Sequence, residues 1–160
     1  ANVNEYDVAV GDNEYSLQVK NYAEAEGSGV IVMCSKLEAD LGGLENEERD
    51  LFLQEIGIKS SGLDKLIFAT YNLLGLATFF TAGSDEVRAW TFRQGMKAPE
   101  CAGLIHSDIE RGFIRAEVMT FEDLESLGSE KAVKDAGKLR IEGKEYELKD
   151  GDICYFRFNV

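Results

Sequence analysis

Metal-binding and disulfide frameworks are the first things this sequence lacks material for, with one histidine and three cysteines in 160 residues. Cys34, Cys101 and Cys154 are odd in number and far apart, with neither CxxC nor a metal-ligand spacing. That usage points to reduced thiols that pack as small apolar residues. Nor is there an uninterrupted apolar run of about 18 residues, so no helix is expected to span a membrane. No charged-then-apolar leader opens the chain, so no secretory signal is expected, and the cysteine usage reads as that of a cytoplasmic protein. The phosphate-binding signature GxxxxGK[ST] is absent as well, and with it the backbone cradle and lysine that phosphoryl transfer uses. The chain is therefore not expected to hydrolyse nucleotide on its own.

What is present is acid and a globular share of apolar residues. Hydrophobic residues make up 44% and charged residues 29%, with a net charge of −13; a packed core is expected and disorder is not. The charge is uneven: residues 1–80 carry 5 basic and 14 acidic groups, residues 81–160 carry 12 and 16. A chain this acidic does not cling to nucleic acid at large, because such attachment rests on neutralising phosphates. Its second half can still hold a local basic face.

Periodicity divides the chain near Gly75. Before it, helices are expected over Glu14–Glu26, Lys36–Leu41, Glu45–Ile56 and Leu63–Leu74, with Ser35 and Glu38 as a capping box. Their stripes are read at Tyr15, Val19, Tyr22 and Ala23, at Leu51, Phe52, Glu55 and Ile56, and at Leu63, Leu66, Ile67, Thr70, Tyr71 and Leu74. Val30–Cys34 reads as a buried parallel strand. After Gly75, strands are expected at Thr78–Thr81, Val87–Phe92, Gly112–Thr120, Leu139–Ile141, Tyr146–Leu148 and Ile153–Phe158. Turns fall at Gly83-Ser84-Asp85, Gly143 and Asp150-Gly151-Asp152. A helix starts at Pro99, and one or two lie in Phe121–Ala136, broken at Gly128. Strict alternation puts Phe113, Arg115, Glu117 and Met119 on one face and Ile114, Ala116 and Val118 on the other. This order predicts an α+β fold, a mixed sheet around one helix in the β-grasp (ubiquitin-like) arrangement.

Two long stretches carry a resemblance: Ala82–Val118, AGSDEVRAWTFRQGMKAPECAGLIHSDIERGFIRAEV, and Asp150–Val160, DGDICYFRFNV. They resemble the TGS domain that closes the YchF subfamily of Obg-related P-loop GTPases and ATPases. The likeness continues through NLLGLATFFTAG and weakly to the first residue. It implies that residues 1–75 are the tail of a P-loop (G) domain with a helical segment, incomplete here, and that residues 76–160 are the TGS domain. It places Asn2, Val3 and Glu5 (Asn2-Val3-Asn4-Glu5) at the family's NxxE motif, where ordinary GTPases carry NKxD. Cys34, Ser35 and Lys36 then stand at the second base-contacting loop. Guanine recognition in NKxD uses the Asp carboxylate against two guanine donors, and the longer Glu5 does not overlay it. The resemblance therefore implies ATP binding at least as well as GTP, with magnesium, in the parent protein, and no cofactor in this chain alone. It further implies ribosome or ribosomal RNA association, with the TGS domain docking. Arg88, Arg93, Lys97, His106, Arg111 and Arg115 are the candidate contacts, Arg88 and Arg115 being read onto one sheet face. The competing reading is a free-standing interaction module with no nucleotide activity. His106-Ser107-Asp108 reads as a helix start capped by Ser107 and Glu110, not as a catalytic cluster. Trp90 reads as core.

Overall fold

The computed structural model describes residues 1–83 and 86–159, so the turn read at Gly83-Ser84-Asp85 lies partly outside the described residues. The chain forms two compact units, Ala1–Tyr71 and Asn72–Val160, taken separately below. No described helix is long and apolar enough to cross a membrane.

The first unit is built of helices α1 (Glu5–Val10), α2 (Glu14–Glu26), α3 (Ser35–Leu41), α4 (Asn46–Glu55) and most of α5 (Gly62–Leu73). Local chemistry sets their ends. Asn13 accepts from the Ser16 N–H while Ser16 Oγ accepts from the Asn13 N–H, a reciprocal cap that starts α2. Gly27, with φ of +70°, closes it in the left-handed region. At α3 the expectation fails. Cys34 occupies the N-cap without a side-chain bond, and Glu38 reaches away to accept from the N–H groups of Gly62 and Leu63. A carboxylate on those orphan donors anchors the start of α5.

Burial in this unit also departs from the helical stripes. Leu53, not Leu51 or Phe52, is the buried residue of α4, and it packs with Cys34, Leu37 and Leu41. Ser16 and Ala23 are the buried residues of α2, while Tyr15, Val19 and Tyr22 face solvent. Leu63, Leu66, Ile67 and Phe68 are all exposed. The expected strand at Val30–Cys34 shrinks to one parallel bridge between Asn2 and Met33. A lone parallel bridge has no second neighbour to extend it, so the run stays irregular.

The second unit contains β1 (Leu76–Ala82), β2 (Val87–Arg93), α6 (Ala98–Ile105), α7 (Ser107–Arg111), β3 (Phe113–Thr120), α8 (Phe121–Leu127), α9 (Glu130–Asp135), β4 (Arg140–Glu142) and β5 (Asp152–Phe158). The strands form one mixed sheet in the order β2-β1-β5-β3-β4, with β1 and β5 parallel and the other pairs antiparallel. This is the α+β, β-grasp arrangement.

One face of the sheet packs on α6. Ala98, Cys101 and Ala102 lie at i, i+3 and i+4, small enough for the helix to sit close on Phe79, Phe92, Ala116, Val118 and Cys154. Phe79 is fully buried and meets Phe92 and Phe156 edge-on. Trp90 packs against this core and donates from Nε1 to Thr81 Oγ1 at 3.0 Å. The opposite face holds a smaller cluster, Met119, Val133 and Ile153. Burial pushes the Cys101 thiol up to about 12, and raises Cys154 as well.

Three expectations here need correction. A register shift between Phe113 and Arg115 breaks the alternation of β3. It turns Phe113 into the α6 core beside Ala116 and Val118 and leaves Ile114 exposed. Tyr146–Leu148 is not a strand; it holds a single bridge, Lys97 to Glu147. Helix α7 is capped by His106, whose Nδ1 accepts from the Asp108 N–H at 3.1 Å, not by Ser107.

Candidate functional site

In the first unit, two loops some thirty residues apart in sequence come together. Val3 N–H donates to the Met33 carbonyl at 2.9 Å, and Met33 N–H to the Ala1 carbonyl at 3.0 Å. This short ladder brings Asn2 to the start of α3, where its Oδ1 accepts from the Ser35 N–H at 2.9 Å. Because Cys34 offers no side-chain cap, Asn2 supplies the acceptor from a distant segment. Asn4 caps α1 through the Asp7 N–H, which fixes Glu5 in the first turn. The Glu5 carboxylate then meets Lys36 Nζ at 2.8 Å. Hydrogen bonding to Glu5, reinforced by its charge, holds the Lys36 ammonium above its ordinary range. Both side chains are substantially exposed, so the pair positions the loops more than it stabilises them.

Asn2, Val3, Glu5, Cys34, Ser35 and Lys36 thus lie in one place. Val3 and Cys34 are buried and present only backbone, whereas Asn2, Glu5, Ser35 and Lys36 are exposed. The amides of Val3, Met33 and Ser35 are held by this ladder and by the Asn2 carboxamide, beside an exposed carboxylate paired with an ammonium. No three His, Cys, Asp or Glu side chains converge as a metal site among the described residues.

In the second unit, most of the candidate cations are tied to acids of the same chain. Lys97 Nζ lies 2.5 Å from Glu145, Arg111 Nη2 lies 2.7 Å from Asp108, and Arg115 Nη2 lies 3.3 Å from Glu117. Arg88 stands with its guanidinium 4.3 Å from the centre of the Trp90 ring and reaches Glu86 at 4.0 Å. His106 is engaged as the α7 cap. Arg93, at the end of β2, is exposed.

Arg88 and Arg115 do not share a face. Arg88 pairs with Thr81 in the same alternating set as Trp90 and Phe92, on the α6 side. Arg115 belongs with Glu117 and Met119, on the side of α9.

Two features escaped the sequence reading. Asp152, assigned to a turn, begins β5 and is buried. It accepts from Arg140 Nη2 at 3.1 Å, Tyr146 Oη at 2.8 Å and the Lys149 N–H at 2.9 Å. A burial pattern with three donors around one carboxylate leaves no trace in linear spacing. Arg157 is the other: its Nε and Nη2 hold both oxygens of Glu117 at 3.1 and 2.9 Å. Only the β3–β5 register could have revealed that fork.

A family model, YchF-GTPase_C, described as a protein of unknown function (DUF933), matches residues 76–159. The "Ribosome-binding ATPase YchF" of Bacillus subtilis is 58% identical across the whole of this chain, and that of Escherichia coli O157:H7 is 51% identical. The chain spans 44% of the length of each of these relatives. Among solved structures, the YchF GTPase of Schizosaccharomyces pombe superposes with a TM-score of 0.83 at 37% identity, over 98% of this chain and 42% of that one.

Proposed function

This chain belongs to the YchF-GTPase_C family, and from that premise we propose that it is the C-terminal part of a cytoplasmic protein that binds and hydrolyses ATP or GTP and associates with ribosomes. Residues 1–75 are then the tail of a P-loop domain, and residues 76–160 a TGS domain that serves as the docking module. The observation that carries the nucleotide reading is the bond from the Ser35 N–H to Asn2 Oδ1, which joins two loops that the resemblance assigns to base recognition. Nucleotide loops need this kind of fixed backbone, because a base edge is read by groups that do not reorganise on binding.

The base preference follows from Glu5. Its carboxylate is engaged by Lys36, so it is not free to accept from the two donors of guanine. Adenine needs one acceptor for its amino group, and a backbone carbonyl near Val3 or Asn4 supplies it. The phosphates and magnesium would be held by parts of the protein outside these residues, since the P-loop signature is absent from this sequence.

Titration calorimetry of ATP and GTP into the full gene product tests the reading. Asn2→Ala should weaken ATP binding about tenfold, roughly 1.4 kcal/mol, while leaving the melting temperature of the second unit unchanged. Equal ATP affinity in the variant would remove Asn2 and Ser35 from the site. Failure of the gene product to co-sediment with ribosomes would remove the docking half of the proposal.

A further inference from the structure

The face of the sheet opposite α6 carries a cleft of about 340 Å³ that none of the six candidate contact residues lines. Lys131 and Lys134 of α9 form one wall, and Arg157 of β5 stands on the sheet across from them. Between them lie Tyr155, Met119 and Leu139, an aromatic and apolar floor. Two carboxylates also line the cleft, Glu117 and Glu130. Both are already engaged. Glu117 is shared by Arg157 and Arg115, and Glu130 accepts from the Tyr155 hydroxyl.

The β3–β5 register sets Arg115 opposite Arg157 and Glu117 opposite Tyr155. One carboxylate therefore serves two guanidinium groups on the same face, leaving one positive charge in excess. Lys131 and Lys134 are exposed and, among the described residues, neither has an ion pair. Three cations against two carboxylates line the cleft, with Arg115 sharing Glu117 from beside it, which makes this a cationic site in a chain whose net charge is −13.

We propose that this cleft binds a single-stranded segment of RNA, with phosphates on Lys131, Lys134 and Arg157 and a base stacked on Tyr155. Cationic walls along an aromatic floor are the means by which proteins hold unpaired strands without reading their sequence. The cations flank the ring from two elements instead of converging on one point. That spacing suits successive phosphates of a strand better than the single phosphate of a free nucleotide. The proposal deepens the ribosome-associated reading and rests on it, but it moves the contact from the Arg88–Arg111 side to the α9 side.

The test is fluorescence anisotropy of a labelled twelve-nucleotide uridine RNA with the 160-residue chain. Lys131→Ala/Lys134→Ala should weaken binding at least tenfold, and should lower the log–log salt slope by about 1.4, since each phosphate contact to a single strand contributes about 0.7. Its melting temperature should not move, because both side chains are exposed. Arg93→Ala/Arg111→Ala should bind like the unaltered chain.

The proposal is overturned if the unaltered chain does not bind the RNA, or if the lysine variant binds equally well. It is also overturned if loss follows the arginine variant alone, or if uridine monophosphate or polyglutamate displaces the RNA as effectively as unlabelled RNA. Ribosome co-sedimentation of the full gene product separates the two readings. Co-sedimentation that survives the lysine substitutions, in a chain that does not bind the RNA, sinks the cleft and spares the ribosome reading. RNA bound at the cleft without co-sedimentation does the reverse.

Discussion

Replacing Asp152 with Asn should cost the second unit about 3 kcal/mol, a figure built from the three donors that converge on its carboxylate. The side chain is 1% exposed, and it accepts from the Arg140 guanidinium, the Tyr146 hydroxyl and the Lys149 N–H. Asn keeps one acceptor oxygen and substitutes an amide donor for the other, so at least one of the three donors faces a donor. A neutral bond lost in the interior costs about 1 kcal/mol, a charge-assisted one about 1.5–3. Breaking a buried ion pair costs about 3–5 kcal/mol, but Arg140 keeps 36% side-chain exposure and recovers some hydration, which favours the lower end. Urea denaturation followed by Trp90 fluorescence suits the measurement, because this is the sole tryptophan and it packs on the core of that unit. For a unit of this size the loss corresponds to a melting shift of more than about 10 °C. A loss under about 1 kcal/mol would show that water or neighbouring groups replace the carboxylate, and that Asp152 does not organise the β4–β5 end of the sheet.

Gly112→Ala should destabilise the same unit by about 1–3 kcal/mol, since an added Cβ would stand 2.3 Å from the Asn159 carbonyl oxygen; an unchanged urea midpoint would mean that the end of β5 simply shifts away. The forked bond from Arg157, with help from Arg115, holds the Glu117 carboxyl below its ordinary range. That stabilisation is present above the ordinary glutamate value of about 4.3 and is lost as pH falls below it, so the melting temperature of Glu117→Gln should converge on that of the unaltered chain between pH 6 and 3, and a constant gap would contradict the assignment. Limited proteolysis should cut within residues 1–75 first, because that part exposes Tyr6, Tyr15, Phe68 and Leu73 and holds Val30–Cys34 by one bridge; a resistant core made only of residues 1–75 would refute this. Calorimetry should show no micromolar affinity of this chain alone for ATP or GTP, and such affinity would mean that phosphates are held by groups other than a P-loop.

The legible part of this fold was the part fixed by local chemistry. Gly27 and Gly128 end helices in the left-handed region, and helix α2 runs over the predicted Glu14–Glu26. The alternation of β3 was legible only as far as the register shift at Phe113, because an extra residue turns every side chain before it to the other face. Caps were harder. Ser35 with Glu38 and Ser107 with Glu110 both match the capping pattern, yet Glu38 is drawn 24 residues away to Gly62 and His106 outcompetes Ser107. A pattern of residue types names acceptors that can cap; it does not say which of several donors they will reach.

The same distinction governs the candidate site. Periodicity correctly marked the apolar residues of α5, yet Leu63, Leu66 and Ile67 face solvent. An apolar stripe predicts that a face is suited to burial, and burial needs a partner within reach. The meeting of the two loops proposed to contact the base was legible for a different reason. Nothing in the spacing of Asn2 and Ser35 requires them to meet; the resemblance joined them, and the carboxamide-to-amide bond across 33 residues gives that pairing a physical form. The cationic face ran the other way. Counting arginines along the chain drew attention to Arg88, Arg111 and Arg115, each of which the fold places beside an acid, Arg115 sharing Glu117 with Arg157. Lys131 and Lys134 sit in a stretch with acidic neighbours at Glu130 and Asp135 and drew none, yet the fold gives them no ion pair among the described residues. Available charge is therefore a property of the register and of who reaches whom, and it emerges only once β3, β5 and α9 are in place.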